Sequence, residues 1–414
     1  MTVAEAGSER RRGWGLLRRS PKFGLLWSAR TVSFAGDSLT QIALLLYVAN
    51  HGGGGPAVAL LLIVTDFSPT LFAPVLGTLG DRFDRRRVMI VTQVLQAAAV
   101  LAIAGWLPGL PGLLVLVAVN ANLARAFQPA SSSAVPQLVA DVDLNLANSM
   151  IGFGTYGLAI VGPLGAAALT RLVGLRGVLV VDAMSFVISV ALLWRLPRLE
   201  PGTAEPQSAN WRGLWRDAFT GVRYMWSNRM VRAVVLGFSA LVVCTALDDV
   251  ALVFMAKHTL HVGNSAASLL YAGADLGLLV GFIALTRFAQ APPILLYVIG
   301  TVVSSAGNLF TGLSWLISLA IMSQVARGIG IAMQDTGSNT LLQRYVPTEL
   351  QARVFANLYT AIGVAAGLSY VAGGVALASV SPRAVLAGAG AAGIVVAIGT
   401  AVALGRATKT AENG

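Results

Sequence analysis

The chain has 414 residues, 56% of them hydrophobic and 11% charged, with a mean hydropathy of +0.74. Soluble globular chains carry about 25% charged residues, so an ordinary soluble enzyme and a disordered chain are excluded, and the single Cys244 excludes an intrachain disulfide framework. The net charge of +11 comes from 29 Lys and Arg against 18 Asp and Glu, and the basic residues gather beside long apolar runs, which points to a membrane and away from nucleic acid.

A helix that crosses a bilayer needs about 20 mainly apolar residues. Twelve segments qualify, and they predict an all-α membrane protein with twelve transmembrane helices in two pseudo-symmetric six-helix bundles. A basic cytoplasmic arm, 1–22, comes first. The N-terminal bundle, 23–196, holds spans at 23–49, 57–79, 87–107, 112–132, 148–170 and 176–196. Its first span is long enough to cross and has no small-residue cleavage site after it, so it reads as a retained helix. Residues 197–231 form the one long connection, a cytoplasmic linker. Pro201, Gly202 and Pro206 break its start, and Trp211–Trp226, with Arg212, Arg216 and Arg223, reads as an amphipathic helix on the membrane surface. The C-terminal bundle, 232–404, holds spans at 232–256, 265–287, 292–312, 315–338, 354–378 and 382–404, with a tail at 405–414.

Lys and Arg set orientation. With the N-terminus inside, the outward ends hold only Arg171, Arg176, Lys257 and Arg383, so both termini are expected in the cytoplasm. The composition is rich in Ala, Gly and Arg and poor in Lys, which suits a bacterial cytoplasmic membrane. Displacing the chain by about half its length sets Asp66 against Asp275, Ala147-Asn148 against Ala356-Asn357 and Gly165 against Gly374. A slightly smaller displacement sets Arg125 against Arg327. Such matches fit two parallel halves, as in many transporters.

Between spans 2 and 3 the chain reads Gly77-Thr78-Leu79-Gly80-Asp81-Arg82-Phe83-Asp84-Arg85-Arg86-Arg87. This resembles the loop 2–3 signature of the major facilitator superfamily. The resemblance implies a cytoplasmic gate at Gly77, Gly80, Asp81 and Arg82, with the Asp81 carboxylate latched to a helix N-terminus of the other half, where negative charge is favoured. Arg85–Arg87 read as a cluster that sets topology. On span 5, Gly157-Leu158-Ala159-Ile160-Val161-Gly162-Pro163-Leu164-Gly165, preceded by Gly152 and Gly154, is similar to the Gly-Pro signature of the superfamily's antiporters. Small residues permit close helix approach, and Pro163 bends a helix; plain packing is the alternative reading. Arg125 resembles the buried Arg of helix 4 in the same superfamily, and Arg327 is its repeat partner on span 10. Snorkelling towards the interface is the alternative. Gly36-Asp37-Ser38-Leu39-Thr40-Gln41, Val181-Asp182-Ala183-Met184-Ser185-Phe186 and Gln343-Arg344-Tyr345-Val346-Pro347-Thr348-Glu349-Leu350 are similar to an exporter branch that includes macrolide and siderophore exporters.

Asp37, Asp66, Asp248, Asp249 and Asp275 fall inside predicted spans. Charge inside a bilayer is costly and marks function by default. Burial raises a carboxylate pKa and a nearby Arg lowers it, so an acid between those influences suits proton uptake and release. Asp37, halfway along span 1, is the first choice as proton or substrate-binding carboxylate. The alternative is structural Asp–Arg pairing between helices. Asp335 is expected to pair with Arg327 or the inner loops, and Asp182 to cap the outer end of span 6. The excess of acids over Arg125 and Arg327 favours a cationic or neutral lipophilic small molecule. The reading is therefore a secondary active exporter of a drug-like or secondary-metabolite molecule, working by proton antiport and alternating access. A nutrient importer or uniporter, or a non-transporting sensor or scaffold, are the alternatives. A monomer surrounded by lipid is expected, with no cofactor beyond the proton gradient, no metal, no nucleic acid and no enzymatic centre.

Overall fold

The computed structural model of the chain describes residues 13–51, 83–199, 211–248, 264–288, 290–377 and 379–412, with separate helical positions between 57 and 72 and at 251, 252 and 255. Among these residues every regular element is helical. They are α1 (Gly13–Arg19), α2 (Pro21–His51), α3 (Arg85–Trp106), α4 (Leu110–Leu138), α5 (Leu144–Trp194), α6 (Trp211–Ser227), α7 (Arg229–Thr245), α8 (Asn264–Leu285), α9 (Pro293–Leu313), α10 (Ile317–Tyr345), α11 (Gln351–Leu377) and α12 (Pro382–Glu412). A 3-10 turn at Asp141–Asp143 joins α4 to α5. Gly174, with φ of 69°, interrupts α5 and divides it into the predicted spans 5 and 6.

Local chemistry sets several ends. Asp84 caps α3, its carboxylate accepting from the Arg86 amide at 2.9 Å and from the Leu199 amide at 3.2 Å. Asn228 caps α7 by accepting from the amides of Met230 and Val231. Pro111 and Pro293 sit in the first turns of α4 and α9, where a missing N–H costs nothing. The α6 helix coincides with the predicted amphipathic stretch and meets α7 at 105°.

Among the described residues six helices are long and apolar enough by themselves to cross a membrane: α3, α4, the second arm of α5, α9, α11 and α12. The bent α6–α7 pair makes a seventh. Both α2 and α10 coincide with predicted spans but carry charge inside them, Arg30 and Asp37 on one, Arg327 and Asp335 on the other. Span 2 falls largely outside the described residues.

Helix α2 packs along α5, and α3 lies between α4 and α5. In the second half α10 packs on α8 and α9, and α12 on α7 and α9. The halves meet along α5–α8, α5–α10 and α4–α11. Phe23, Leu26, Met89, Val135, Leu146 and Leu193 close one core, and Val231, Tyr297, Phe355 and Leu404 another. Apolar side chains such as Val91, Val187, Val371 and Val395 remain exposed on outer faces. Lipid tails are as apolar as Leu, so close packing and buried polar bonds hold such a bundle rather than exclusion of water.

Candidate functional site

The two halves are joined at the end of the bundle that carries Arg85, Asp141 and Arg344. Asn148 of α5 donates to Thr340 Oγ1 at 3.0 Å and to Gln343 Oε1 at 2.7 Å on α10. Gln343 returns a bond from Nε2 to the Ser132 carbonyl of α4 at 3.0 Å. Arg344 pairs with Asp141 at 3.0 Å, and Asn145 donates to the Ala291 carbonyl at 2.8 Å. Arg85 is wholly buried; it donates to the Ser133 carbonyl at 3.0 Å and, across the halves, to the Thr348 carbonyl. This corrects the reading of Arg85–Arg87 as a topology signal alone. Arg86 bonds the Leu193 and Trp194 carbonyls and lies over the Trp194 ring, and only Arg87 of the three is exposed. Gly77, Gly80, Asp81 and Arg82 lie outside the described residues.

A second contact between the halves uses span 5. The Phe282 ring of α8 rests on Gly152, where a Cβ would collide with it, and stacks on Tyr156 at 5.5 Å. Leu279 approaches Gly157. Small residues on α5 therefore admit α8 at close range. Gly162, Pro163 and Gly165 lie on the helical backbone of α5, and their surroundings fall outside the described residues.

Above these contacts a cavity of about 370 Å3 opens inside the first half. Asp37 and Arg125, both predicted, line it, with Arg30, Gln96, Asn120 and Thr40. Asn120 hydrogen-bonds Asp37, and Asp182 acts on the same carboxylate from the second arm of α5. Asp182 is wholly buried, with Ser185 Oγ donating to one oxygen at 3.3 Å. Thr40 of α2 reaches the same carboxylate, and among the described residues neither polar atom of the buried Gln96 amide has a hydrogen-bond partner. Asp182 is thus no helix cap. It faces α2, where only the absence of a side chain at Gly36 leaves room for its carboxylate. Buried polar groups normally find partners, so a cavity wall holding an amide without one is suited to water, protons or a ligand.

Arg327 and Asp248 form a separate site. The α7 helix ends at Thr245, a turn follows, and Asp248 sits at that break, 1% exposed. It forms an ion pair with Arg327 of α10 and accepts from Asn308 Nδ2 at 3.2 Å. The Asp–Arg lock weighed from sequence is realised here, with Asp248 in the place expected of Asp335. Asp335 instead accepts from Asn339 at 3.1 Å and faces Arg30. Asp275 is exposed on α8. Asp66 and Asp249 lie outside the described residues.

Arg30 is a residue that sequence reasoning missed. It projects from α2 between the halves and donates to Ser131 Oγ at 2.6 Å. Asp335, Tyr359 and Tyr156 all act on it electrostatically, from α10, α11 and α5. Tyr359 also lies 3.5 Å from the Ser132 hydroxyl. Other polar side chains are engaged within the bundle: Trp27 donates to the Met150 carbonyl at 2.7 Å, Asn122 to Ser68 at 2.8 Å and Gln324 to Thr311 at 3.0 Å.

Residues 26–356 match the family profile described as Major Facilitator Superfamily. The chain is 26% identical over 377 residues to an uncharacterized MFS-type transporter, YfiS, of Bacillus subtilis, covering 87% of this chain and 88% of that one. It is 31% identical to the multidrug efflux pump Tap of Mycobacterium tuberculosis over 52% of this chain and 53% of the pump. With macrolide efflux protein A of Streptococcus pyogenes it shares 28% identity over 43% of this chain and 45% of that protein. A bacterial homologue of the iron transporter ferroportin, solved in an outward-facing state, superposes with a TM-score of 0.73 at 16% identity, covering 94% of this chain and 99% of that one. That likeness establishes the fold. With its apolar spans the chain is an integral membrane protein, a small-molecule transporter and a member of the Major Facilitator Superfamily.

Proposed function

We propose that this transporter exports a drug-like or secondary-metabolite molecule from the bacterial cytoplasm in exchange for protons. The observation that carries the reading is Asp37 on the wall of the 370 Å3 cavity, beside a wholly buried second carboxylate, Asp182. Two acids so close strongly disfavour both being ionised. One proton held between them is released when cargo or a conformational change alters their surroundings. The similarity to the multidrug efflux pump Tap and to macrolide efflux protein A supports the outward direction.

Residues 23–196 and 232–404 act as the two rocking bodies, tied by the linker 197–231, and 1–22 and 405–414 lie in the cytoplasm. The bonds of Arg85, Asn148, Gln343 and Arg344 close the end that charge bias assigns to the cytoplasm, which corresponds to a state open to the outside. In that state a proton reaches Asp37 through the cavity. Opening the inner end then exposes the cavity to cargo, and cargo entry displaces the proton inwards. Arg30 and Arg125 share the cavity with Asp37, so the excess of acid expected from sequence is offset there. A neutral lipophilic cargo fits these walls better than a cationic one.

The test is accumulation of a panel of dyes and antibiotics in efflux-deficient bacteria that express the chain. Lower accumulation, abolished by a protonophore and by Asp37→Asn, is the expected result. Unchanged export in Asp37→Asn, with the protein confirmed in the membrane, overturns the assignment.

A further inference from the structure

The bend between α6 and α7 leaves two grooves, one on each side of α7. The first, of about 510 Å3, lies between α6, α7 and α11 and is walled by Met225, Trp226, Leu236, Val364 and Leu368. The second, of about 540 Å3, lies between α7 and α12. Small residues form its wall, Ala233, Gly237, Gly399 and Ala403 among them, and Arg229, Arg232 and Arg406 line it too. Arg232 lines both grooves. Its guanidinium donates to the Trp226 carbonyl at 3.0 Å, across the bend, which fixes it on the ridge between them.

We propose that this ridge is a binding site for an anionic phospholipid of the surrounding leaflet. The occupant follows from the chemistry of the walls. One guanidinium on the ridge between an apolar slot and a groove whose small-residue wall carries arginines matches an amphiphile with a phosphodiester head, its head group on the arginine side and a hydrocarbon chain in the apolar slot. Guanidinium groups bind phosphate through paired hydrogen bonds. Two further arginines in the second groove favour a head group with net negative charge over a zwitterionic one, whose ammonium they repel. Basic pockets between transmembrane helices recognise anionic head groups in this way.

The site reaches the transport machinery through α11. Asn357 and Thr360 line the first groove, and Tyr359, between them in sequence, faces Ser132 and Arg30 where the halves meet. A lipid wedged behind α11 supports the arrangement in which those contacts form. The proposal holds whatever the cargo or the direction of transport.

Native mass spectrometry of the purified full chain tests it, with equimolar phosphatidylglycerol and phosphatidylcholine of identical acyl chains. Retention of phosphatidylglycerol is expected to exceed that of phosphatidylcholine by at least about tenfold. The preference is expected to disappear in Arg232→Gln, to weaken in Arg229→Gln/Arg406→Gln, and to persist in Arg198→Gln, which alters a basic residue outside the grooves. If Arg232→Gln does not fold, the wild type decides through salt: a charge-selected lipid loses its preference as ionic strength rises. Equal retention of the two lipids, as a lateral passage for lipophilic cargo would give, overturns the proposal. So does a preference that ignores both salt and the arginine substitutions.

Discussion

Arg327 of α10 and Asp248, at the break that follows α7, form an ion pair with the carboxylate 1% exposed and Asn308 as a second donor to it. The pair ties a helix interruption to the middle of a neighbouring span. An unpaired charge in such a place is expensive. Opposite charges in contact, with an added amide donor, offset much of that cost.

Removing one partner leaves the other charge buried. Asp248→Asn is expected to lower stability by about 3–5 kcal/mol, read as a fall in the thermal unfolding midpoint of the purified protein. The double variant Asp248→Asn/Arg327→Gln is expected to recover most of that loss. A double variant no better than Asp248→Asn contradicts the pairing.

Arg85 tests the closed end. It is buried and bridges the Ser133 and Thr348 carbonyls, one in each half. Arg85→Ala removes that bridge and is expected to shift the population towards opening of this end. Spin labels at Val142 and Pro347, both exposed, in a Cys244→Ala background, report the change as growth of a longer distance. An unchanged distance distribution indicates that Arg85 supports its own half only.

Arg30 and Asp335 face one another from different halves. Arg30→Gln is expected to reduce transport by at least about tenfold, equivalent to about 1.4 kcal/mol. Arg30→Lys keeps the charge but not the planar fork that reaches Ser131, and an intermediate rate is expected. The pair Arg30→Gln/Asp335→Asn is expected to unfold near the wild-type temperature and remain inactive. Recovered transport in the double variant assigns the pair a structural role alone.

The spans were legible because long apolar runs leave little else to form. The amphipathic linker helix was legible for a related reason, its alternation of Arg with Trp and Leu. Which way each helix turns was not. The second arm of α5 is apolar around most of its circumference, so nothing in its sequence turned Asp182 towards α2 rather than towards its own end. Arg30 was hidden by its nearness to the basic arm. It lies nine residues into α2, which begins at Pro21, and so about 14 Å along the axis, past the reach of the interface. Arg85 was hidden within a run of three arginines, where solvation is the ordinary fate. The Asp248–Arg327 pair was foreseen as a kind of contact but with another partner, because the break after α7 brings Asp248 inwards. Small residues on span 5 were plain in the sequence, but which neighbour they admit was not; Phe282 of α8 on Gly152 supplies it.

Proton-driven export through Asp37 is the function proposed for this transporter. Everted membrane vesicles test it most directly, energised to an acid interior and carrying a dye that reports the pH gradient. Addition of a transported compound from the accumulation panel is expected to dissipate part of the gradient with the wild-type protein and none of it with Asp37→Asn. Compound uptake into vesicles without any change in the gradient, or equal dissipation by Asp37→Asn, contradicts the account.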